Sequence, residues 1–265
     1  MQLWTLASGS SGNCFLLESE GTHLLVECGR PIGDIRRYLA HCRVDPRALD
    51  GILLTHAHSD HIKSAREVSD AYGVPIFASL GTLGHPTLRD CDRAHAITAE
   101  DRFRVGEVEV LPFAVPHDCV EPLGFRFESA TARACVTTDL GWVPESVQQH
   151  LSGLDLLVLE ANYDPQLLHE GPYPAFLKSR VAGNRGHLSN AEAGLAVART
   201  GDRAPREVWL GHMSEQNNSH GHALETIGRT LKRRGLGHVR LRVTHHRKPS
   251  LYWSSTPREE QLSLF

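Results

Sequence analysis

The stretch "THAHSDH", residues 55–61, gathers His56, His58, Asp60 and His61 directly after the apolar run "GILL". Imidazole nitrogens and a carboxylate are costly to crowd together unless they share a ligand. His56 and His58 are two apart, so an extended loop can aim both at one point. Asp60 and His61 open the following helix and serve an adjacent point. Neutral imidazole and carboxylate oxygen suit zinc, and also manganese or iron. Two neighbouring ligand sets imply two metals, about 3.5–4 Å apart in such sites. A histidine-rich surface turn is seldom this dense.

The elements that must position these groups are legible as short apolar runs bounded by turn residues. "LWTLA", "CFLLE", "HLLVE", "GILLT", "VPIFA", "VEVLPF", "GFRFE", "ARACVTT", "LDLLVLE" and "EVWLGH" read as strands. Helices are expected over "GDIRRYLAHCR", "DHIKSAREVSDAYG", "SNAEAGLAVARTG" and "HALETIGRTLKRRG". The second of these ends on Gly73. In the third, Ser189 and Glu192 form a capping box and Gly201 is the stop. A meander followed by alternating strands and helices implies two packed sheets with helices outside. A body over 1–254 and a tail over 255–265 are expected.

A chain of 265 residues is long enough for a sizeable core. Hydrophobic residues at 40% and charged ones at 22% are ordinary for a globular protein, and a formal net charge of -3 does not point to nucleic acid. Charge is uneven, however. No Asp or Glu lies between Thr226 and Pro257, whereas Arg229, Lys232, Arg233, Arg234, Arg240, Arg242, Arg247 and Lys248 are basic. On composition alone this fits a solvated helix face and a basic edge strand; a phosphate-binding patch is the alternative. The six cysteines form no CxxC pair, and there is no secretory pattern or apolar run of membrane-spanning length. A cytoplasmic protein with reduced thiols is expected.

The HxHxDH stretch resembles the signature of the metallo-β-lactamase superfamily, and further motifs follow in the same order. "VPHD" supplies His117, "TTDLG" supplies Asp139 and "LGHMS" supplies His212, each after a strand. The resemblance implies a four-layer αββα sandwich. It implies one metal on His56, His58 and His117, a second on Asp60, His61 and His212, and Asp139 bridging them. Zinc or manganese is the expected pair. One position departs from the pattern: "LLVECG" has Glu27 where the superfamily usually carries an Asp that orients the metal-binding loop. Glu27 is expected to do the same from a slightly shifted backbone.

His58 argues against the di-iron oxidoreductase branch, which has a carboxylate there. "LVLEANYD" followed by "GHLSNAEAGLAVA" resembles the tRNA-processing nuclease RNase Z. That likeness implies that Glu160 orients His187 and that His187 assists departure of the leaving oxygen. "SGSSGN", "THAHSDH", "GHLSN" and "LGHMSEQNN" together resemble the bacterial YycJ/WalJ-type metallo-hydrolases, regarded as 5′-to-3′ exonucleases, from about Leu6 to about Trp253. In that reading Ser11 or Asn13 meets a phosphate. Asp139, His187 and His212 are too close in sequence for an inserted β-CASP domain or an RNase Z arm. The core itself must then grip the strand, which raises the weight of Arg240 and Arg247 and favours a single-stranded end. Asp60 is expected to accept a proton from the attacking water. The last five residues, "QLSLF", have the form of the bacterial sliding-clamp-binding motif, with Gln261, Leu262, Leu264 and Phe265 as contacts. The expected function is a two-metal phosphodiesterase acting as a 5′-to-3′ exonuclease on single-stranded DNA ends in replication or repair. A small-molecule hydrolase of the same fold, opening a cyclic phosphodiester or a thioester, is the alternative; a non-catalytic binding module fits the full ligand set less well.

Overall fold

The computed structural model describes residues 1–256; the expected clamp contacts Gln261, Leu262, Leu264 and Phe265 lie outside them. The strands are β1 (Gln2–Ala7), β2 (Cys14–Ser19), β3 (Thr22–Val26), β4 (Gly51–Leu53), β5 (Ile76–Ala78), β6 (Ala94–Ala96), β7 (Phe103–Val105), β8 (Val108–Ala114), β9 (Leu123–Glu128), β10 (Arg133–Thr137), β11 (Leu156–Glu160), β12 (Glu207–Gly211), β13 (Arg240–Val243) and β14 (Leu251–Ser254). They form two seven-stranded sheets, ordered β14-β1-β2-β3-β4-β5-β6 and β13-β12-β11-β10-β9-β8-β7. In the first, β1 to β3 form an antiparallel meander and β3 to β6 run parallel. In the second, β7 to β10 are antiparallel and β10 to β13 parallel.

Alternation explains the layers. Along β11, Leu156 and Val158 face the space between the sheets with Phe15, Val26, Phe125 and Trp209. Leu157 and Leu159 face the helices on the outer side. On the other sheet, Phe15 and Leu17 point inward while Cys14 and Leu16 meet the helices. A strand covered on both faces reads as one continuous apolar run, which is why "LLVL" and "FLL" carry no polar interruption. The result is the expected four-layer αββα sandwich, with no further domain among the described residues. Ser255 is still tied to the body: its N–H donates to the Met1 carbonyl, and its hydroxyl oxygen accepts from the Met1 ammonium.

The helices fall close to expectation, with one instructive break. The run from Asp60 to Gly73 is two helices, Ser59–Ile62 and Ala65–Tyr72. The Asp60 carbonyl, which would accept from Ser64 in a continuous helix, instead accepts from the Asn13 N–H at 2.8 Å. The Ser64 N–H goes to the Cys28 carbonyl at 3.0 Å. The loop that carries His56, His58, Asp60 and His61 is thus stitched to two neighbouring turns at the cost of one helical bond. Gly29 allows this close approach: a Cβ there would stand 1.7 Å from the Asp60 carbonyl oxygen. Gly73 ends the second helix with φ at 77°, and Ser189 caps the helix Asn190–Ala198 with the full capping box. The helix after Ser219 starts slightly earlier than expected, at His220, and runs to Arg233. Strands β6 and β7 and the helices Pro165–Glu170 and Ala175–Val181 were not foreseen; each is short, and β6 and both helices are largely exposed, so periodicity carries little signal.

Candidate metal centre

The C-terminal ends of β4, β8, β10, β11 and β12 reach one edge of the sandwich. From them come the loop of His56, His58, Asp60 and His61, then His117, Asp139, Glu160 and His212. The strand exits are sharp. Asp139 has φ at 59°, His212 at 47° and Glu27 at 67°, a region that side-chain-bearing residues seldom occupy. Neighbours hold this strain in place: the His212 N–H donates to Ser8 Oγ at 2.9 Å, and Asn162 Nδ2 donates to the His212 carbonyl at 2.8 Å.

Four histidines have one ring nitrogen occupied on the outer side. His56 Nδ1 is 2.8 Å from Thr55 Oγ1. His61 Nδ1 is 3.3 Å from Glu27 Oε1. His117 Nδ1 donates to the Gly186 carbonyl at 3.0 Å, and His212 Nδ1 to Glu160 Oε1 at 2.9 Å. Outer partners of this kind set the tautomer and leave Nε2 for a metal. The inner nitrogens converge. His58 Nδ1 is 3.0 Å from His56 Nε2 and 3.3 Å from His117 Nε2. His61 Nε2 is 3.2 Å from Asp139 Oδ2 and 3.6 Å from Asp60 Oδ2, and His212 Nε2 is 3.4 Å from Asp60 Oδ2.

Ligand atoms of Asp60, His61 and His212 lie within 4.8 Å of one another, as do those of His56, His61 and Asp139. The same holds for His58, His117 and Asp118, and for His56, His58 and Cys119. The residues fit divalent cations on a further ground. Asp139 Oδ2, His212 Nε2 and Asp118 Oδ1 are buried with no hydrogen-bond partner, a state native proteins rarely leave unexplained. The electrostatics agree. Burial, then the neighbouring His61, holds His56 well below the usual histidine range, and burial also lowers His58 and His117. Burial would lower His61 and His212 as well, but Asp139 and the other carboxylates outweigh it. His61 is raised well above its ordinary value and His212 to about 10. Burial pushes Asp139 up, yet His212 and His61 override it and hold the carboxyl well below the usual range. A pocket that draws protons onto buried imidazoles is one whose carboxylates call for positive charge.

Glu160 and His187 meet as the motif implied. His187 Nδ1 donates to Glu160 Oε1 at 2.7 Å, and the other Glu160 oxygen accepts the N–H groups of Leu140 and Leu188 at 3.0 and 3.1 Å. Burial opposes a charged His187, but the Glu160 carboxylate outweighs it and raises the imidazole. His187, Asp139, Asp60, His58 and His212 face a cleft of about 210 Å³, together with Ser10, Asp118 and Arg180.

Other expected contacts are not brought there. Asn13 is fully buried: its Oδ1 accepts from the Gly9 N–H at 2.9 Å and its Nδ2 lies 3.1 Å from His61 Nε2. It packs within the wall against the inner nitrogen of His61 rather than facing the cleft. Ser11 Oγ donates to the His246 carbonyl at 3.3 Å, and Ser10 is the residue of that turn on the cleft. Arg240 begins β13 opposite Glu207, at the far end of β12 from His212, and pairs with Glu207 at 3.6 Å. Arg247 pairs with Glu215 at 3.0 Å and lines a separate cavity of about 450 Å³ with His220, His245 and His246. Sequence reasoning missed Asp118, Cys119 and Arg180. Asp118 was visible as the last letter of "VPHD"; Arg180 had no motif to mark it.

An αββα sandwich whose parallel strands deliver histidines and carboxylates to one edge defines the metallo-β-lactamase fold. The chain belongs to the β-lactamase superfamily: the profile of the Beta-lactamase superfamily domain matches residues 24–213. It is 34% identical over 241 residues to exodeoxyribonuclease WalJ of Streptococcus pneumoniae serotype 2 (strain D39 / NCTC 7466), covering 88% of each chain. It is 30% identical over 240 residues to exodeoxyribonuclease YycJ of Bacillus anthracis, covering 88% of this chain and 89% of that one. Among solved structures, the metallo-β-lactamase fold protein YhfI from Bacillus subtilis superposes with a TM-score of 0.73 at 17% identity, covering 96% of this chain and 99% of that one. Among the described residues, no helix is long and apolar enough to cross a membrane.

Proposed function

We propose that this chain is a two-metal phosphodiesterase that removes nucleotides from the 5′ ends of single-stranded DNA. The observation that carries the reading is the Glu160–His187 pair beside Asp139 and His212, since an imidazole oriented by a carboxylate at that wall can serve a leaving oxygen. Two relatives named exodeoxyribonucleases, each aligned over 88% of this chain, support it. His56, His58 and His117 would hold one cation, Asp60, His61 and His212 the other, with Asp139 between them. Asp118 and Cys119 stand close enough to join the first set. When bound, such a pair supplies Lewis acidity and lowers the pKa of water toward neutrality, with zinc or manganese as the expected ions.

The protein's own groups do the rest. Asp60, held at one oxygen, takes the proton of the attacking water at the other. The water oxygen bonds to phosphorus as the bond from phosphorus to the leaving oxygen breaks. His187, oriented by Glu160, gives its proton to the leaving oxygen. Glu160 does not move; two backbone N–H groups fix it, so the imidazole is oriented before substrate arrives.

A digestion panel tests this: end-labelled single-stranded DNA and RNA, with 5′-phosphate or 5′-hydroxyl, in manganese and in zinc. Stepwise release of nucleotides from the 5′ end of DNA is expected. Activity confined to small diesters or thioesters overturns the reading. We further propose a cytoplasmic setting, and a body over 1–254 followed by a docking tail. Gln261, Leu262, Leu264 and Phe265 would fill pockets of a sliding clamp and raise the enzyme's local concentration on DNA. Capture by clamp protein should be lost on truncation after Glu260; equal capture removes the docking role.

A further inference from the structure

We infer that residues 171–188, which lead into His187, form the surface that grips the substrate strand, with Arg180 on a backbone phosphate and Phe176 against an unpaired base. The inference rests on the nuclease reading above and names the recognition element of the same site.

The helix Ala175–Val181 buries none of its residues. A helix so short has little stability of its own, yet this one walls the cleft through Leu177, Arg180 and Val181. Its end is fixed to the catalytic turn: the His187 N–H donates to the Val181 carbonyl at 2.9 Å. Gly186 permits the approach, because a Cβ there would lie 2.2 Å from the carbonyl oxygens of Arg180 and Val181. Phe176 is 75% exposed, the most exposed large hydrophobic side chain among the described residues. From Gly171 to Leu188 the chain has no Asp or Glu, while Lys178, Arg180 and Arg185 are basic.

Arg180 is held ready. Its Nε donates to Asp118 Oδ2 at 2.7 Å, Nη2 stands 2.6 Å from the same oxygen, and its side chain is 62% exposed. A guanidinium has five N–H groups, so three remain for an anion in the cleft. Asp118 Oδ1 sits 3.2 Å from His117 Nε2 and 3.5 Å from His58 Nε2, so the carboxylate ties the guanidinium to the wall of the metal centre. Arg185 donates to the carbonyls of His117 and Cys119, bracing the loop that carries His117. An exposed aromatic ring on a stretch that carries three cations and no acid of its own fits a polyanion with flat, unpaired faces. Base–aromatic stacking is tolerant of sequence, as a strand-degrading enzyme requires.

The test is fluorescence anisotropy with a labelled single-stranded oligonucleotide of about ten nucleotides. It is run across a salt series on metal-loaded protein carrying His187→Ala, so that the strand is not consumed. Added Phe176→Ala should weaken Kd by about 5- to 100-fold with the salt slope kept. Added Arg180→Ala should weaken Kd and reduce the salt slope by about 0.7. Leu195→Ala, an exposed leucine on the helix Asn190–Ala198, is the control and should bind like the parent. Parent-like binding by both Phe176→Ala and Arg180→Ala overturns the inference and leaves the nuclease reading standing. An equal loss with Leu195→Ala also overturns it. Absence of binding already in the parent overturns the nuclease reading, and this surface with it.

Discussion

Glu160 Oε1 stands 2.7 Å from Nδ1 of His187, and the same oxygen lies 2.9 Å from Nδ1 of His212. One buried carboxylate therefore orients both the imidazole proposed to serve the leaving oxygen and a metal-ligand candidate. Its second oxygen is spent on the Leu140 and Leu188 N–H groups. A carboxylate accepting that many bonds stays ionised: burial raises it, and His187 first among its neighbours brings it back below its ordinary value.

His187→Ala should lower kcat on a DNA strand by about 10²–10⁴-fold, the scale for a lost general acid. Metal content should stay that of the wild type, because His187 is not in the proposed ligand set. Metal analysis and single-turnover rates separate the outcomes. Wild-type turnover removes His187 from the mechanism, and loss of metal makes it a ligand.

His58→Ala and Asp139→Ala should each bind less metal and abolish turnover while far-ultraviolet circular dichroism stays native. Chelation should act in the same direction on the wild type. A ligand that binds only the folded state stabilises it by mass action, so stripping the metals should lower Tm and readdition should restore it. Purified protein that holds no transition metal and gains neither stability nor activity from any would sink the two-metal reading.

Glu27 tests how far the orienting role tolerates an extra methylene. It is fully buried, 3.3 Å from His61 Nδ1, and receives the Thr55 N–H at 3.3 Å. Glu27→Ala should weaken metal binding by about 10–100-fold, the usual cost of losing a group that orients a ligand. Glu27→Gln, which keeps the shape and one acceptor, should cost less. Isothermal titration with zinc decides; unchanged affinity in Glu27→Ala would leave Glu27 a purely structural residue.

The histidines and carboxylates of the centre were legible because each ends an apolar strand and lies in a dense or ordered motif. The layers were legible because strands such as "LLVL" are apolar on both faces. What escaped has a common cause. Asn13 looked like a surface polar residue, but its backbone N–H is consumed by Asp60 and its side chain by Gly9 and His61, and the Asp60 and His61 contacts are remote in sequence. Arg180 reaches the cleft only because a short, unburied helix is carried there by the turn at Gly186. The break at Ser64 depends on Cys28 and Asn13 capturing helical hydrogen bonds, which no local periodicity records.

Arg240 gives the sharpest contrast between sequence and structure. It belongs to an acid-free, basic stretch and was expected to hold the strand. In the sheet it faces Glu207 at the start of β12, whereas His212 follows the other end of that strand. Five residues at about 3.3 Å each place it roughly 16 Å from the centre, beyond the Debye length of about 8 Å at physiological salt. Its neighbours explain it as structure: Glu207 also receives the Trp209 indole N–H at 2.6 Å and lies 3.8 Å from Arg242. Arg240→Ala should therefore leave oligonucleotide Kd within about 2-fold at 0.15 M salt, because an exposed charge at that range is screened. Any loss should be a small drop in Tm, since one partner of a surface ion pair contributes about 0–1 kcal/mol. A salt-dependent loss of binding in Arg240→Ala, matching that of Arg180→Ala, would mean that the strand runs along the sheet and not only across its C-terminal edge.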